Sequence, residues 1–236
     1  MNYKKVVERI GKELQKKADP IKAEGAKRYF KETIHPRGVT LPTVRGIEKE
    51  LWPGFKPEME LEDALKLTEL LFETGYWEDP IIGMGFVNRF EKEFGEKELK
   101  RFEKWIDCCI NNWAHCDDLC NHNLAAVLER YPRLAKELIV WTQSENRWKR
   151  RAAAVSFILP ARKGLFEKEI LEIAKKLFAD KKDDLVQKGN GWMLREFGKS
   201  KQAKLVAFLR KHRERIPRTT MRYAIERLPP GLKKGL

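Results

Sequence analysis

The chain has 236 residues, 42% of them hydrophobic, so it is long enough to bury a substantial core as one domain over residues 1–236. No stretch approaches the roughly 18 consecutive apolar residues that a transmembrane helix needs. The start alternates charged with apolar residues, unlike a secretory signal. These features predict no membrane-spanning helix, no membrane partner and a cytoplasmic location.

The charge of the chain is strongly basic and unevenly distributed. A net charge of +14 and a pI near 9.6 favour polyanionic partners, because each phosphate that Lys or Arg neutralises releases condensed counterions. Residues 195–236 carry 13 Lys or Arg against three Glu. We therefore predict a nucleic-acid partner and an electrostatic contact surface in this C-terminal section. A Lys-rich solvated helix face is the alternative interpretation.

Apolar residues recur at the three- and four-residue spacing of helices throughout the chain, as in Val6, Ile10 and Leu14, and strand signals are nearly absent. The predicted fold class is therefore all-α, with about a dozen helices. Their predicted ranges are 3–17, 20–34, 42–52, 60–74, 78–94, 96–111, 113–130, 132–143, 146–160, 166–179, 182–197, 201–213 and 217–227.

Pro and Gly mark the helix boundaries. Pro20 and Pro42 stand at first helical positions, and Gly75 and Gly198 stand where helices are expected to end. Paired helices return at intervals of roughly 35 to 40 residues, close to the period of HEAT repeats. The sequence thus predicts a curved α-solenoid of HEAT-like repeats with a concave basic cleft.

One helical segment places an indole and a carboxylate on the same face. Trp113 and Asp117 are four residues apart, and this pairing suits a cationic ligand. The alternative is a core aromatic residue beside an acid that the helix dipole favours. This segment alone leaves both interpretations open.

A second segment, residues 145–151, concentrates basic residues at a predicted helix entrance. Its Arg151 has the fork geometry to bind a phosphate or a carboxylate in a bidentate manner. The alternative is an Arg-to-Asp bridge between adjacent repeats, and the two roles can coexist.

A third segment contains glycines inside a helical pattern. Gly189 and Gly191 each cost about 1 kcal/mol relative to Ala, so something must approach the helix closely there. Tight packing of another helix would explain the glycines, and so would a ligand pressed against the helix beside Trp192. The sequence does not separate these two explanations.

The cysteines do not form a recognisable metal site. Cys108, Cys109, Cys116 and Cys120 lie in one helical stretch without a C-x-x-C pair, and one helix cannot easily surround a tetrahedral ion. We expect buried cysteines that pack as small hydrophobic residues, and we predict no metal and no cofactor.

Taken together, these segments resemble the AlkD family of alkylpurine DNA glycosylases, HEAT-like-repeat proteins of similar length. Ala26–Lys31 and Gly38–Arg45 are similar to the family's opening repeat. The Trp-x-x-x-Asp, Trp-x-x-Arg-Ala-Ala and Gln-Lys-x-x-Gly-Trp-x-Leu-Arg-Glu stretches then follow in the family's order. The resemblance covers nearly the whole chain.

The resemblance implies an active cleft at a solvent-facing surface rather than in a deep pocket, without a catalytic Lys. The predicted catalytic residues are Asp117, Trp113 and Trp192. The predicted DNA-binding residues are Tyr29, Arg45, Arg151, Lys188 and Arg195.

The predicted function is a monofunctional DNA glycosylase of base excision repair, which hydrolyses the N-glycosidic bond of cationic N3- or N7-alkylated purines. The predicted partner is double-stranded DNA containing alkylated bases, and the protein is predicted to be a monomer. A catalytically silent HEAT-like DNA-structure binder is the first alternative. A protein-interaction scaffold is the second.

Overall fold

A computed structural model describes residues 1–181 and 183–236, and the regular structure in these residues is helical. The predicted all-α class is therefore confirmed. The chain divides into two compact units, Met1–Phe94 and Gly95–Leu236. The single domain stays a prediction, and so does the curved solenoid with its concave cleft.

The first unit is built around the buried faces of long amphipathic helices. Its helices are α1 Tyr3–Gln15, α2 Pro20–Lys27, α3 Leu41–Phe55, α4 Leu61–Glu73 and α5 Asp79–Asn88. The periodic residues Val6, Ile10 and Leu14 form the buried face of α1. Leu67 and Leu71 of α4 are also fully buried. The spacing that predicted these helices therefore identifies their core-facing sides.

A buried carboxylate anchors the loop that enters α3. Glu78, which is fully buried, accepts backbone N–H bonds from Arg37 and Gly38 at 2.9 Å and from Val39 at 3.1 Å. Gly38 has φ +85°, a left-handed conformation that a side chain would strain. Glu78, which lies 40 residues after Gly38 in the chain, thus sets the conformation of this loop.

Helix α2 is shorter than predicted. The sequence predicts a helix over 20–34, whereas α2 ends at Lys27, although Pro20 and the capping Asp19 start it as expected. None of its residues is buried. Since most helical stability in proteins comes from packing of an apolar face, nothing extends this helix through the aromatic residues that follow.

The second unit holds the remaining helices. They are α6 Lys97–Cys108, α7 Trp113–Leu119, α8 Ala125–Arg130, α9 Ala135–Trp141, α10 Arg147–Val155, α11 Ile158–Arg162, α12 Glu167–Leu177, α13 Asp184–Ser200, α14 Gln202–His212, α15 Arg218–Ala224 and α16 Pro230–Lys233. The predicted start of α13 at residue 182 lies outside the described residues. Among the residues described, no helix combines the length and apolar character that a membrane span requires.

Two predicted helices depart from regular α-helical structure, and one of them, over 113–130, is helical throughout. The range predicted over 113–130 contains a π-helical turn, Cys120–Leu124, between α7 and α8. The range predicted over 146–160 breaks between α10 and α11, because Pro160 has no N–H with which to continue the helix. Single π-turns inside helices occur often at functional sites, and this one begins three residues after Asp117.

Helices of the second unit are joined by side chains at a regular sequence spacing. Arg147 at the start of α10 donates to Asp183, the N-cap of α13, at 2.9 Å and across 36 residues. Thr219 of α15 donates to Asp184 at 3.0 Å and across 35 residues. These intervals agree with the repeat length that the sequence predicts for this unit.

Close helix packing accounts for the glycines of α13. A Cβ at Gly191 would lie 2.5 Å from Cβ of Tyr223 and 2.7 Å from the carbonyl oxygen of Thr220, both in α15. A Cβ at Gly189 would lie 3.2 Å from the side chain of Val155 in α10. Of the two explanations that the sequence leaves open, the packing of neighbouring helices is the one observed.

The helix end predicted at Gly198 is wrong, since α13 continues to Ser200. A Cβ at Gly198 would lie 2.5 Å from Cδ2 of Leu205 in α14. This glycine therefore permits a close approach of α14 instead of ending the helix. Gly75, by contrast, follows α4 with φ +74°, as expected of a glycine that ends a helix.

Replacing Gly191 with Ala should destabilise the protein by about 1–3 kcal/mol, because the new methyl group collides with the backbone of α15. The matched control is Gly46→Ala in α3, where nothing lies within 4 Å of the added Cβ. The control should stabilise its helix by about 0.4–1 kcal/mol. Urea unfolding followed by circular dichroism measures both changes, and equal stabilities of the two variants would contradict the packing argument.

Candidate active site

Helix α7 begins at a buried asparagine that holds its first turn. Asn112 is 1% exposed, and its Oδ1 accepts the backbone N–H of His115 at 3.0 Å. Its Nδ2 lies 3.0 Å from Nδ1 of the buried His115. This cap fixes the turn in which Trp113 is the first residue. Asn112 is not among the site residues predicted from the sequence, although an Asn just before a helical run is a recognisable N-cap signal.

The central interaction of the site is a bidentate ion pair between α7 and α10. Nε of Arg151 donates to Oδ1 of Asp117 and its Nη2 donates to Oδ2, both at 2.7 Å. The third nitrogen, Nη1, donates to the carbonyl oxygen of Leu185 in α13. Arg151 is only 5% exposed. One guanidinium group thus joins three helices.

The Arg-to-Asp bridge is the alternative that the sequence left open for Arg151. All three of its guanidinium nitrogens donate within the protein, so the side chain acts here on Asp117 and on α13. Its contact with the DNA backbone stays a prediction.

Burial and the guanidinium act on Asp117 in opposite directions. Burial raises the pKa of the Asp117 carboxyl, and the charge and hydrogen bonds of Arg151 counteract part of this effect. For Arg151, burial acts to lower the pKa, but the charge of Asp117 outweighs it and the guanidinium pKa is raised. Arg151 therefore remains a cation and favours the carboxylate form of its partner.

Helix α13 approaches the ion pair through a glycine. A Cβ at Gly189 would lie 3.5 Å from Nη1 of Arg151, so this side of α13 faces the guanidinium. Trp192 follows three residues later, near the same side of the helix. Its ring is half-buried, and its Nε1–H is buried without an acceptor among the described residues. A buried donor without a partner is unfavourable, and an oxygen atom of a bound ligand would satisfy it.

Trp113 and Asp117 are both half-buried, one turn apart on α7. The helix therefore presents an indole and a carboxylate side by side, as predicted. The catalytic roles of Trp113, Asp117 and Trp192 stay predictions, but α7, α10 and α13 bring the segments that carry them together around Arg151.

Two predicted DNA-binding residues of α13 form ion pairs. Nζ of Lys188 lies 2.8 Å from Oδ2 of Asp184. Arg195 donates from Nε to Glu196 at 3.2 Å and from Nη1 to Glu226. Both cations are therefore largely compensated within the protein.

The basic entrance of α10 is compensated as well. Arg147 pairs with Asp183 at 2.9 Å, and Lys149 pairs with Asp107 at 2.9 Å. The sequence suggested that this helix entrance offers several phosphate contacts. In the structure these cations connect α10 to neighbouring helices, and their phosphate contacts stay a prediction.

The two predicted N-terminal DNA contacts belong to the first unit. Tyr29 is 79% exposed just after α2. Arg45 is half-buried in α3, where its Nη1 donates to the carbonyl oxygen of Ile81 at 3.0 Å.

The cysteines divide into two pairs. Cys116 and Cys120 are buried, as expected of residues that pack as small hydrophobes, and burial raises the pKa of the Cys116 thiol well above its usual value. Cys108 is exposed and Cys109 is half-buried, so the expected burial is wrong for this pair, which stands at the end of α6. Within residues 1–181 and 183–236, no three His, Cys, Asp or Glu side chains are placed to hold a metal ion.

Comparison with known proteins places these features in a family. A family model described as DNA alkylation repair enzyme matches residues 10–228. The fold is similar to the solved structure of a predicted DNA alkylation repair enzyme from Enterococcus faecalis, with a TM-score of 0.77 and 16% identity over 91% of this chain and 98% of that chain. No curated protein matches the chain. The match to the family model over nearly the whole length shows that this chain belongs to the DNA alkylation repair enzyme family.

Proposed function

We propose that this protein is a DNA glycosylase that releases cationic N3- or N7-alkylated purines from duplex DNA by hydrolysis. The observation that carries the proposal is the Asp117 carboxylate, held by Arg151 on the helix face that also presents Trp113. Membership of a DNA alkylation repair family supplies the substrate class.

The proposed chemistry suits a fixed carboxylate. An alkylated purine of this kind already carries a positive charge, so its glycosidic bond is weakened and the base leaves as a neutral molecule. Positive charge then develops on the deoxyribose, where a preorganised anion lowers the energy of the transition state. Asp117 is the group proposed to provide this anion and to orient the attacking water.

Arg151 is proposed to position that carboxylate. A carboxylate has about four lone-pair sites, so two bonds from Arg151 leave other sites for the sugar or for water. Burial of Asp117 strengthens its electrostatic effect, and the same burial would favour its neutral form without the neighbouring guanidinium. Arg151 thus keeps the Asp117 carboxylate charged at a buried position, where little water is available to stabilise the charge.

The two indoles are proposed to surround the developing cation. A cation over an indole face gains about 0.5–2 kcal/mol, depending on how far the site excludes water. Trp192 also offers a buried N–H, for which a phosphate or sugar oxygen of the substrate is a suitable acceptor. Tyr29, Arg45, Lys188 and Arg195 remain the proposed DNA contacts.

Asp117→Asn should reduce release of N7-methylguanine from duplex DNA by about 10²- to 10³-fold, because the neutral amide does not stabilise the sugar cation. The affinity for the DNA should change little. Chromatography of the free base measures release, and anisotropy of labelled duplex measures affinity. Undiminished release by Asp117→Asn would reject the catalytic assignment, and no release by the unaltered protein would favour the silent DNA-structure binder.

Arg151→Lys should shift the acid limb of the pH–rate profile to higher pH. The substitution keeps the positive charge but loses the bidentate hydrogen bonds, so the pKa of Asp117 should rise further and the carboxylate should protonate at a higher pH. Release should therefore fall most at the acidic end of the range. Spontaneous release from the same duplex without protein is the baseline.

A positioning role and a direct DNA role for Arg151 give different results in this experiment. An unchanged acid limb together with weaker DNA binding would show that Arg151 acts through a phosphate. Thermal unfolding of Arg151→Lys establishes that the measured protein is folded, because disturbing a buried ion pair costs stability.

Trp192→Phe should affect stability and activity in opposite directions. Removing a buried N–H that has no acceptor should leave the free protein as stable as before or about 1 kcal/mol more stable. Losing the proposed bond to the substrate should lower kcat/KM roughly 3- to 10-fold, since a hydrogen bond contributes about 0.5–1.5 kcal/mol. If Trp192→Phe is less stable but fully active, the acceptor of the Trp192 Nε1–H belongs to the protein and not to the substrate.

A further inference from the structure

The cations of this chain fall into two groups, compensated and uncompensated. Those at the starts of α10 and α13 are paired with acids, as the bonds of Arg147, Lys149 and Lys188 show. The segment from the end of α14 to α15 differs. Its exposed cations without an acidic partner among the described residues form the C-terminal cationic cluster, which consists of Arg210, Lys211, Arg213, Arg215, Arg218 and Arg222.

The same segment contains a single carboxylate. Glu214 is the one acid between residues 210 and 222, and its side chain is exposed. Cations in the last turn of α14 can be favoured by the helix dipole, but that effect fades beyond the turn and does not reach Arg215 or Arg218. Six cations with one carboxylate among them repel one another, which opposes folding and calls for another explanation.

His212 lies within the same segment, beside cations of the cluster and Lys175 of α12. The His212 ring packs 4.8 Å from the ring of Phe208 and 6.4 Å from that of Phe178. Burial lowers the pKa of His212, and the charges of Lys211, Lys175 and Arg215 lower it further. Cations from α12, α14 and the following turn therefore converge around one ring.

Helix α15, which carries two residues of the cluster, is bonded to the helix that carries Trp192. Thr220 of α15 donates to the carbonyl oxygen of Gln187 in α13 at 3.1 Å, and Thr219 donates to Asp184 at 3.0 Å. Arg218 and Arg222 lie on this same helix α15. A ligand bound by the cluster is thus held by a rigid neighbour of α13.

We propose that the C-terminal cationic cluster binds backbone phosphates of duplex DNA and supplies most of the salt-dependent affinity of the protein. This inference rests on the proposed function, because it takes DNA as the ligand. It adds a contact surface made of residues other than the predicted catalytic and DNA-binding residues. Phosphates compensate the exposed cations without reading base sequence. The paired cations of α10 and α13, Lys188 and Arg195 among them, add less to the salt dependence per contact, because each would first have to exchange its carboxylate for a phosphate.

The cluster variant replaces four unpaired arginines with neutral residues: Arg210→Gln, Arg213→Gln, Arg215→Gln and Arg218→Gln. The matched control makes the same charge change at four exposed but paired lysines: Lys100→Gln, Lys163→Gln, Lys199→Gln and Lys204→Gln. Dissociation constants for undamaged duplex DNA are measured by anisotropy over a series of NaCl concentrations. Circular dichroism confirms that both variants are folded.

The cluster variant should lose up to about 3–4 units from the slope of log K against log salt, since each phosphate contact contributes about 0.9. The control should keep the slope of the unaltered protein within about one unit. Equal losses in both variants would show that net charge alone matters and would overturn the proposal. An unchanged slope in the cluster variant would overturn it too, as would tighter cluster-dependent binding to anionic lipid vesicles than to DNA.

His212 provides a second readout. A phosphate beside the ring favours its protonated form, so binding should take up a proton and affinity should rise as the pH falls towards the lowered pKa of the free protein. His212→Asn should lose this pH dependence, and a retained dependence would contradict phosphate binding at the cluster.

The two proposals fail in different experiments. Base release by the unaltered protein tests the glycosylase proposal, and the salt slope of the cluster variant with undamaged duplex tests the contact surface. If the unaltered protein releases no base while the cluster still determines the salt slope, the glycosylase proposal falls and the contact surface stands.

Discussion

The bidentate pair between Asp117 and Arg151 is the interaction on which the second unit most depends. It joins α7 to α10 directly, and the third bond of the guanidinium reaches the backbone of α13. Removing one partner of a buried ion pair costs about 3–5 kcal/mol, since the other charge is left without compensation. The pair therefore determines both the arrangement of these helices and the charge of the carboxylate.

The site combines features that are unfavourable for the free protein. Burial disfavours the charged form of Asp117, and Trp192 has a buried N–H without an acceptor among the described residues. A π-helical turn follows Asp117 within the same continuous run of helix. Such features persist where surrounding structure holds them, and they concentrate at functional sites.

The basic residues of the chain serve two physical purposes. Cations such as Arg147 and Arg195 connect neighbouring helices by pairing with acids, so they add little to the external field. The cations from Arg210 to Arg222 have no acidic partner among the described residues and leave the positive potential available to a ligand. Net charge therefore indicates a polyanionic partner without indicating which cations contact it, because pairing cancels the field of each paired cation at short range.

The local pattern of residues determined the helical class, most helix positions and the motifs of the family, since apolar periodicity and capping residues act within a few residues of chain. The tertiary structure alone decided that Arg151 bonds to Asp117 and that Gly191 and Gly198 serve helix packing rather than a ligand or a helix end. It also decided which cations are paired and where α2 stops. The bond between Arg151 and Asp117 spans 34 residues of chain, and Gly191 meets α15 across a comparable interval, over which short-range sequence patterns carry no information.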